Sequence, residues 1–385
     1  MILGIDASSI RAGGGVTHLV ELLAVASPQD YGFSRVVVWA SRDLLDRIED
    51  RPWLEKAHHP FLDRSLGYRI LWQTFALTRL ARAQRCSVLF VLGGSYVTSF
   101  RPVVTFNQNL LPFDYKELRR FGPSFRMFKM LALRFTQGRS FARADGVVFL
   151  TKQARDVVTS VIGAMSGRAA VIPHGVDERF HAEPKAQLPI DHYSNAAPFC
   201  LLYVSTVNSY KHHWHVVEAM AHVRRRGLPV VLRVVGSSLP QPMARFAASL
   251  KRFDPSGEFV TYVGEVAHEA LPREYVAADA FIFASTCETF GQIVTEAMSS
   301  GLPITCSNRS AMPELLEEAA VYFNPEDPVD IARAICELVA SPERRVALAQ
   351  GASLKARAYS WHRCAAETLG FLGEIAQSYG AARSL

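Results

Sequence analysis

Two glutamates, Glu288 and Glu296, flank a Phe-Gly step in the stretch CETFGQIVTEAMSSG, residues 287 to 301. The run before them, DAFIFAST, is short, apolar and aromatic and ends in small polar residues, so it reads as a buried strand. Glu288 then falls in a loop. From Gln292 to Ser300 the residues favour helix, with Ile293 and Ala297, and Val294 and Met298, at i,i+4 spacing. Gly301 and Pro303 stop that helix and place Glu296 about one turn inside it. The backbone N–H groups of Gly291, Gln292 and Ile293 at its start suit an anion such as phosphate. One carboxylate precedes this anion site and one follows it, and a carboxylate accepts hydrogen bonds from paired hydroxyls. The pattern fits a ligand with phosphate in the middle and a sugar at each end, which is the shape of a nucleotide-sugar.

The elements that must position these residues come in two series. ILGID, RVVVWAS, SVLFVLGG, PVVTFNQN, DGVVFLT and AAVIPHGVD alternate with helical stretches in the first half. FCLLYVST, PVVLRVVG, EFVTYVGEV, DAFIFAST, LPITCSN and AAVYFNP do so in the second. This is the rhythm of two doubly wound α/β domains. Residues 179–198 carry three prolines and little periodicity and read as the linker. The expected division is 1–180 and 196–360, with a closing helix over 361–385. In such sheets ligands bind beyond the carboxyl ends of strands. Lys211, in the loop after FCLLYVST, would there project an ammonium able to neutralise a diphosphate.

The register ETFG followed by EAMSSG resembles the E-x7-E motif of the family-4 retaining glycosyltransferases, and the resemblance runs from the glycine loop at Gly13 to the closing helix. It implies a GT-B fold, two Rossmann-like domains facing a central cleft, with the last helix crossing back onto the first domain. It implies a nucleotide-diphosphate sugar donor, no metal or other cofactor, and front-face substitution without a covalent nucleophile. Glu288 would hold donor-sugar hydroxyls and Glu296 the ribose. Lys211 would stabilise the leaving diphosphate, with Glu288 and Lys211 as the catalytic pair. Gly14, Gly15, Phe290, Gly291, Gln292 and Ile293 would line the donor, and Val266, with Gly264 and Glu265, would hold the base. Gln108 and Asn109 would position the reacting sugar, and His174 would be a hinge or cleft residue or a packed structural histidine. The chain departs from the family in one place: Thr206 stands where an arginine is usual, so Lys211 would carry more of the charge, with His212 or another basic group beside it.

Composition narrows the rest. Hydrophobic residues make up 49% and charged residues 20% of the 385, as in soluble globular proteins. No apolar run reaches the roughly 18 residues that span a bilayer, and Asp6 interrupts any signal-peptide core, so a cytoplasmic location is expected. Six scattered cysteines without a C-x-x-C pair argue against a disulfide framework or structural zinc. A net charge of +6 suits an anionic substrate or membrane surface and is too small to require nucleic acid. Between Tyr115 and Ala144 lie eight basic residues and one acid. There Phe125, Phe128, Leu131, Ala132 and Phe135 share a helical face away from Arg126, Lys129 and Arg134. Two readings stay open: packing of that face on the domain's own sheet, or peripheral contact with anionic lipid that brings the enzyme to a saccharide or lipid-linked acceptor. Rival functions are a nucleotide-sugar epimerase or hydrolase of the same fold, or a catalytically silent binding protein, which Thr206 would favour.

Overall fold

The structure is a computed structural model and describes residues 1–383. Chain contacts divide it into two units, Met1–Gly175 joined by the chain from Ser360 onward, and Val176–Tyr359.

The first unit holds β1 (Ile2–Asp6), β2 (Arg35–Ala40), β3 (Leu54–His58), β4 (Val88–Val91), β5 (Val103–Phe106), β6 (Gly146–Phe149) and β7 (Arg168–Val171). They form one sheet in the order β3-β2-β1-β4-β5-β6-β7, and every pair is parallel. Because helices cover both faces, the central strands are apolar without alternation: Val36, Val37, Val38, Leu89, Val103 and Val104 have no measurable exposure. β3 was not legible in the sequence. It is an edge strand, Leu-Glu-Lys-Ala-His, bonded only to β2 and half exposed, so it needs no apolar run. The helix Trp361–Arg383 belongs to this unit and sets Phe371 against Gly146 of β6.

The helix Phe125–Arg143 is capped by Ser124, whose hydroxyl accepts the N–H of Met127 at 3.3 Å. It buries only Gln137, Gly138, Ser140 and Phe141 near its C-terminal end. The face expected to pack on the sheet points the other way, with Phe125, Phe128 and Phe135 exposed by 83%, 66% and 72%. The packed reading of that face is corrected: the helix packs through Gln137, Gly138, Ser140 and Phe141, the last against Phe113 and Phe149.

The second unit holds β8 (Phe199–Val204), β9 (Val230–Val235), β10 (Val260–Gly264), β11 (Ala280–Phe283), β12 (Ile304–Ser307) and β13 (Val321–Phe323). Their order is β10-β9-β8-β11-β12-β13, again all parallel. Residues 179–198 are not a free linker but a strap on this unit. The buried Arg345 donates to Gln187 Oε1 at 2.9 Å and to the Leu188 carbonyl, and Tyr193 donates to Asp279 at 3.3 Å. In each sheet the strand order reverses direction once, between β1 and β4 and between β8 and β11. These switch points are where the loops at the carboxyl ends diverge and leave room for a ligand.

Candidate active site

The switch point of the second unit receives the loop after β8, with Lys211, and the loop after β11, with Glu288. Tyr203, buried on β8, donates its hydroxyl to the Lys211 carbonyl and stacks on His213 with ring centroids 4.3 Å apart. This fixes the short turn Ser209–Lys211. His212 follows in the left-handed region at φ 49°, caps the helix His213–Arg225 and lies 3.2 Å from Thr286 Oγ1. A non-glycine residue at such a φ is held by its surroundings, here at the point where the chain turns Lys211 inward.

The ammonium of Lys211 pairs with Glu288 Oε1 and lies over two rings, 4.6 Å from the centroid of Phe283 and 5.3 Å from that of Tyr210. Lys211 is 8% exposed. Aromatic faces favour the cation while its carbon stem is withdrawn from water. Glu288 is held from both sides. Ser285 donates to its Oε1 at 2.5 Å, and Ser310 Oγ accepts its N–H at 2.7 Å and donates to its carbonyl at 2.8 Å. A cation and a carboxylate are thus preset at the end of the sheet, where a diphosphate replacing Glu288 would meet the ammonium.

Gly291 opens the helix Gln292–Ser299 at φ 111°, a conformation that favours glycine, and a Cβ there would also displace Met312 Cε, 2.6 Å away. Val294 and Thr295 donate back to the Gly291 carbonyl and close the first turn of the helix. Phe290 is buried with its ring edge-on to Tyr359, so only its backbone can meet a ligand. Glu296 is buried on the same helix. The Tyr275 hydroxyl lies 2.9 Å from its Oε2 and 3.1 Å from the Ile293 carbonyl. Burial pushes the Glu296 carboxyl up to about 8, outweighing the hydrogen bond from Tyr275, and the negative Asp177 adds to the rise. The Tyr275 hydroxyl donates toward both oxygens and so ties the Glu296 side chain to the backbone of its own helix.

Thr206 lies exposed at the end of β8 with its hydroxyl 3.0 Å from Ser237 Oγ, at the end of β9. Val266 is half-buried in the loop after β10, at the same carboxyl end of the sheet. In the first unit Gly14 is open to solvent, and a Cβ on Gly15 would lie 2.7 Å from Gln108 Oε1, so the loop after β1 touches the residue after β5. Asn109 uses its side-chain oxygen on the Leu111 N–H at 3.1 Å, a local turn bond. His174 is buried, its Nδ1 3.0 Å from His18 Nδ1 and its ring against Phe106 and Trp361. Burial lowers it to about 3, so the ring is neutral where it packs. Sequence reasoning missed Tyr275, Ser285 and Ser310. Ser310 could have been found from the strand-end rule, since it follows β12; Tyr275 carries no sequence signal. Among the described residues no three His, Cys, Asp or Glu side chains are grouped to hold a metal.

Two units, each a doubly wound parallel α/β sheet, have the architecture of the GT-B glycosyltransferases. Residues 12–180 match the model for Glycosyltransferase Family 4 and residues 198–341 that for Glycosyl transferases group 1. The chain belongs to the family-4 glycosyltransferases. It is 35% identical over 112 residues to the O-antigen chain mannosyltransferase B of Escherichia coli, 29% of each chain. It is 26% identical over 246 residues, 63% of this chain and 61% of the other, to a GDP-mannose-dependent alpha-(1-6)-phosphatidylinositol dimannoside mannosyltransferase of Mycobacterium tuberculosis. These matches span less than two thirds of the relatives' own length. Among solved structures it is similar to sucrose-phosphate synthase from Thermosynechococcus elongatus, with a TM-score of 0.75 at 20% identity over 99% of this chain and 100% of that one. It is also similar to Anabaena HepE in complex with UDP and glucose, with a TM-score of 0.68 at 18% identity over 97% and 100%.

Proposed function

We propose that this glycosyltransferase moves a hexosyl group, with retention at the anomeric carbon, from a nucleotide-diphosphate sugar to a saccharide or lipid-linked saccharide, in the synthesis of a bacterial cell-surface polysaccharide or lipopolysaccharide. The observation that carries it is the preset Lys211–Glu288 pair beside the start of the helix Gln292–Ser299. The bond from the anomeric carbon to the diphosphate breaks, and the nucleotide leaves with the electron pair. Lys211 exchanges Glu288 for the diphosphate, and the first-turn N–H groups of the helix add to the stabilisation of the developing charge. Glu288, released from the ammonium, accepts hydrogen bonds from donor-sugar hydroxyls. Glu296 takes the ribose. The acceptor oxygen attacks the carbon from the face the nucleotide leaves, and its proton passes to the departing phosphate oxygen. No metal or other cofactor takes part in this reading. Thr206 supplies a hydroxyl where a charge is usual, which leaves Lys211 as the principal cation.

GDP-mannose and UDP-glucose are the first donors to assay, since relatives and structural neighbours carry mannosyltransferase names or bound UDP and glucose. We read the enzyme as cytoplasmic and peripheral to an anionic membrane through the basic flank Arg126, Lys129 and Arg134. No helix of the described residues is long and apolar enough to cross a bilayer. Nucleotide release measured with and without saccharide acceptors tests the reading. Release that requires acceptor and yields a glycosylated product with the donor's anomeric configuration supports it. Release without acceptor points to a hydrolase, and binding without turnover to a silent protein.

A further inference from the structure

The helix Phe125–Arg143 and the helix Lys152–Ile162 of the first unit enclose an open trough of about 520 Å³. Arg134, Arg139 and Arg143 line it together with the apolar Leu131, Phe135 and Ile162. Gly138 lets the two helices close at the base, since a Cβ there would lie 3.2 Å from Ile162 Cγ2. The helix Phe125–Arg143 contains five basic residues and no acid. The facing helix has one acid, Asp156, which pairs with its neighbour Arg155 at 2.9 Å. Neither helix offers a free acid to the three arginines, and Asp145, two residues past Arg143, is paired with Arg101 at 2.6 Å.

The surroundings are apolar in the direction of solvent. Phe128 and Phe135 point away from the sheet. The row continues onto a second segment, where Phe75, in a π-turn after the helix Leu66–Trp72, is exposed by 74% and Val97 by 51%. The loop bearing Val97 is tied to both helical segments, by Ser95 Oγ to Thr136 Oγ1 at 3.1 Å and by Thr98 Oγ1 to Thr78 Oγ1 at 2.7 Å. A nucleic acid on the arginines would leave the phenylalanines in water. A bilayer interface accepts both, phosphate against guanidinium and ring among acyl chains.

We propose that this trough is a binding site for an anionic glycerophospholipid, with the phosphate between the arginines and the upper acyl chain along Leu131, Phe135 and Ile162. The site rests on the reading of this unit as membrane-facing and adds to it a discrete lipid pocket. The test uses dihexanoyl phosphatidylglycerol below its micelle concentration, titrated by calorimetry into the full chain, beside vesicles of phosphatidylglycerol and phosphatidylcholine. Saturable binding of the short-chain lipid is expected, weakened by Arg139→Gln with Arg143→Gln by about fivefold for each side chain, the effect of one basic residue at an anionic surface. Arg126→Gln with Lys129→Gln should lower vesicle binding and leave the short-chain lipid unaffected. Inorganic phosphate and dihexanoyl phosphatidylcholine should each bind at least fivefold more weakly, because each supplies one half of the recognition. Vesicle binding that survives while the short-chain lipid fails to bind, or binds equally to the Arg139/Arg143 variant, overturns the pocket and spares the membrane reading. Failure of the wild type to bind phosphatidylglycerol vesicles overturns both. Circular dichroism and the thermal midpoint of the full chain check that each variant is folded.

Discussion

If Glu296 holds the donor ribose as proposed, donor binding depends on pH. Its carboxyl stands at about 8 because burial disfavours the charge, and ribose hydroxyls donating to it would favour the ionised form. Binding then releases a proton whenever the pH lies below the free-state value. At about pH 6 the carboxyl must first give up a proton held with a pKa of about 8, a cost of about 2.7 kcal/mol or about a hundredfold in affinity. The affinity for a nucleotide-sugar should rise about tenfold per pH unit from 6 toward 8 and level off above it. The donor is the right probe because its diphosphate has no proton to titrate in this range. Calorimetry in buffers of different ionisation heat should register close to one proton released at low pH. Glu296→Gln cannot ionise, so its affinity should be flat with pH and, at about pH 8, lower than wild type by about 1–3 kcal/mol. A flat wild-type profile, or the same slope in the glutamine variant, would refute the assignment of Glu296 to the ribose.

Other consequences of the geometry are open to measurement. Tyr275→Phe removes the hydroxyl between Glu296 and Ile293, so it should weaken donor binding by about 1 kcal/mol and move the break in the pH profile. An unmoved break would show that Tyr275 only packs. Gly291→Ala meets both a left-handed φ and the methyl of Met312, so a loss of at least about 2 kcal/mol in chemical denaturation is expected, and a neutral result would contradict the close approach. Glu296 also shapes stability: its folded value lies above the ordinary 4.5, so its contribution is complete below about pH 4.5 and is lost as the pH rises through about 8. The Tm of wild type should therefore fall relative to that of Glu296→Gln across this window, and parallel curves would speak against a raised carboxyl.

Much of this could be read from residue order. The strand-loop-helix reading of 279–300 is the structure's β11, loop and helix Gln292–Ser299, because an apolar run, a glycine and i,i+4 spacing are all local signals. Strand β3 escaped because an edge strand need bury nothing on one side. The apolar row of Phe125, Phe128 and Phe135 was legible as a row, yet periodicity gives a face and not its direction, and here the helix packs by Gly138, Ser140 and Phe141 instead. The partners of the acidic pair were the least legible. Tyr275 and Ser310 reach Glu296 and Glu288 across 21 and 22 residues of chain, and no spacing rule spans such contacts.

The central claim is that Lys211 is the cation of the leaving diphosphate, and kcat/KM with saturating acceptor tests it most directly. Lys211→Met keeps the stem against Phe283 and removes the charge, while Glu288→Gln in the same chain relieves the carboxylate left without its ammonium. A preorganised charge on a developing anion contributes roughly 10²–10³ in rate, so Lys211→Met should lose about 3–4 kcal/mol in kcat/KM. Thr206→Arg, at an exposed position beside Ser237, should restore part of it. A loss below about threefold in a folded Lys211→Met enzyme, set against the roughly hundredfold expected of a lost transition-state charge, would place the phosphate clamp elsewhere and contradict the account.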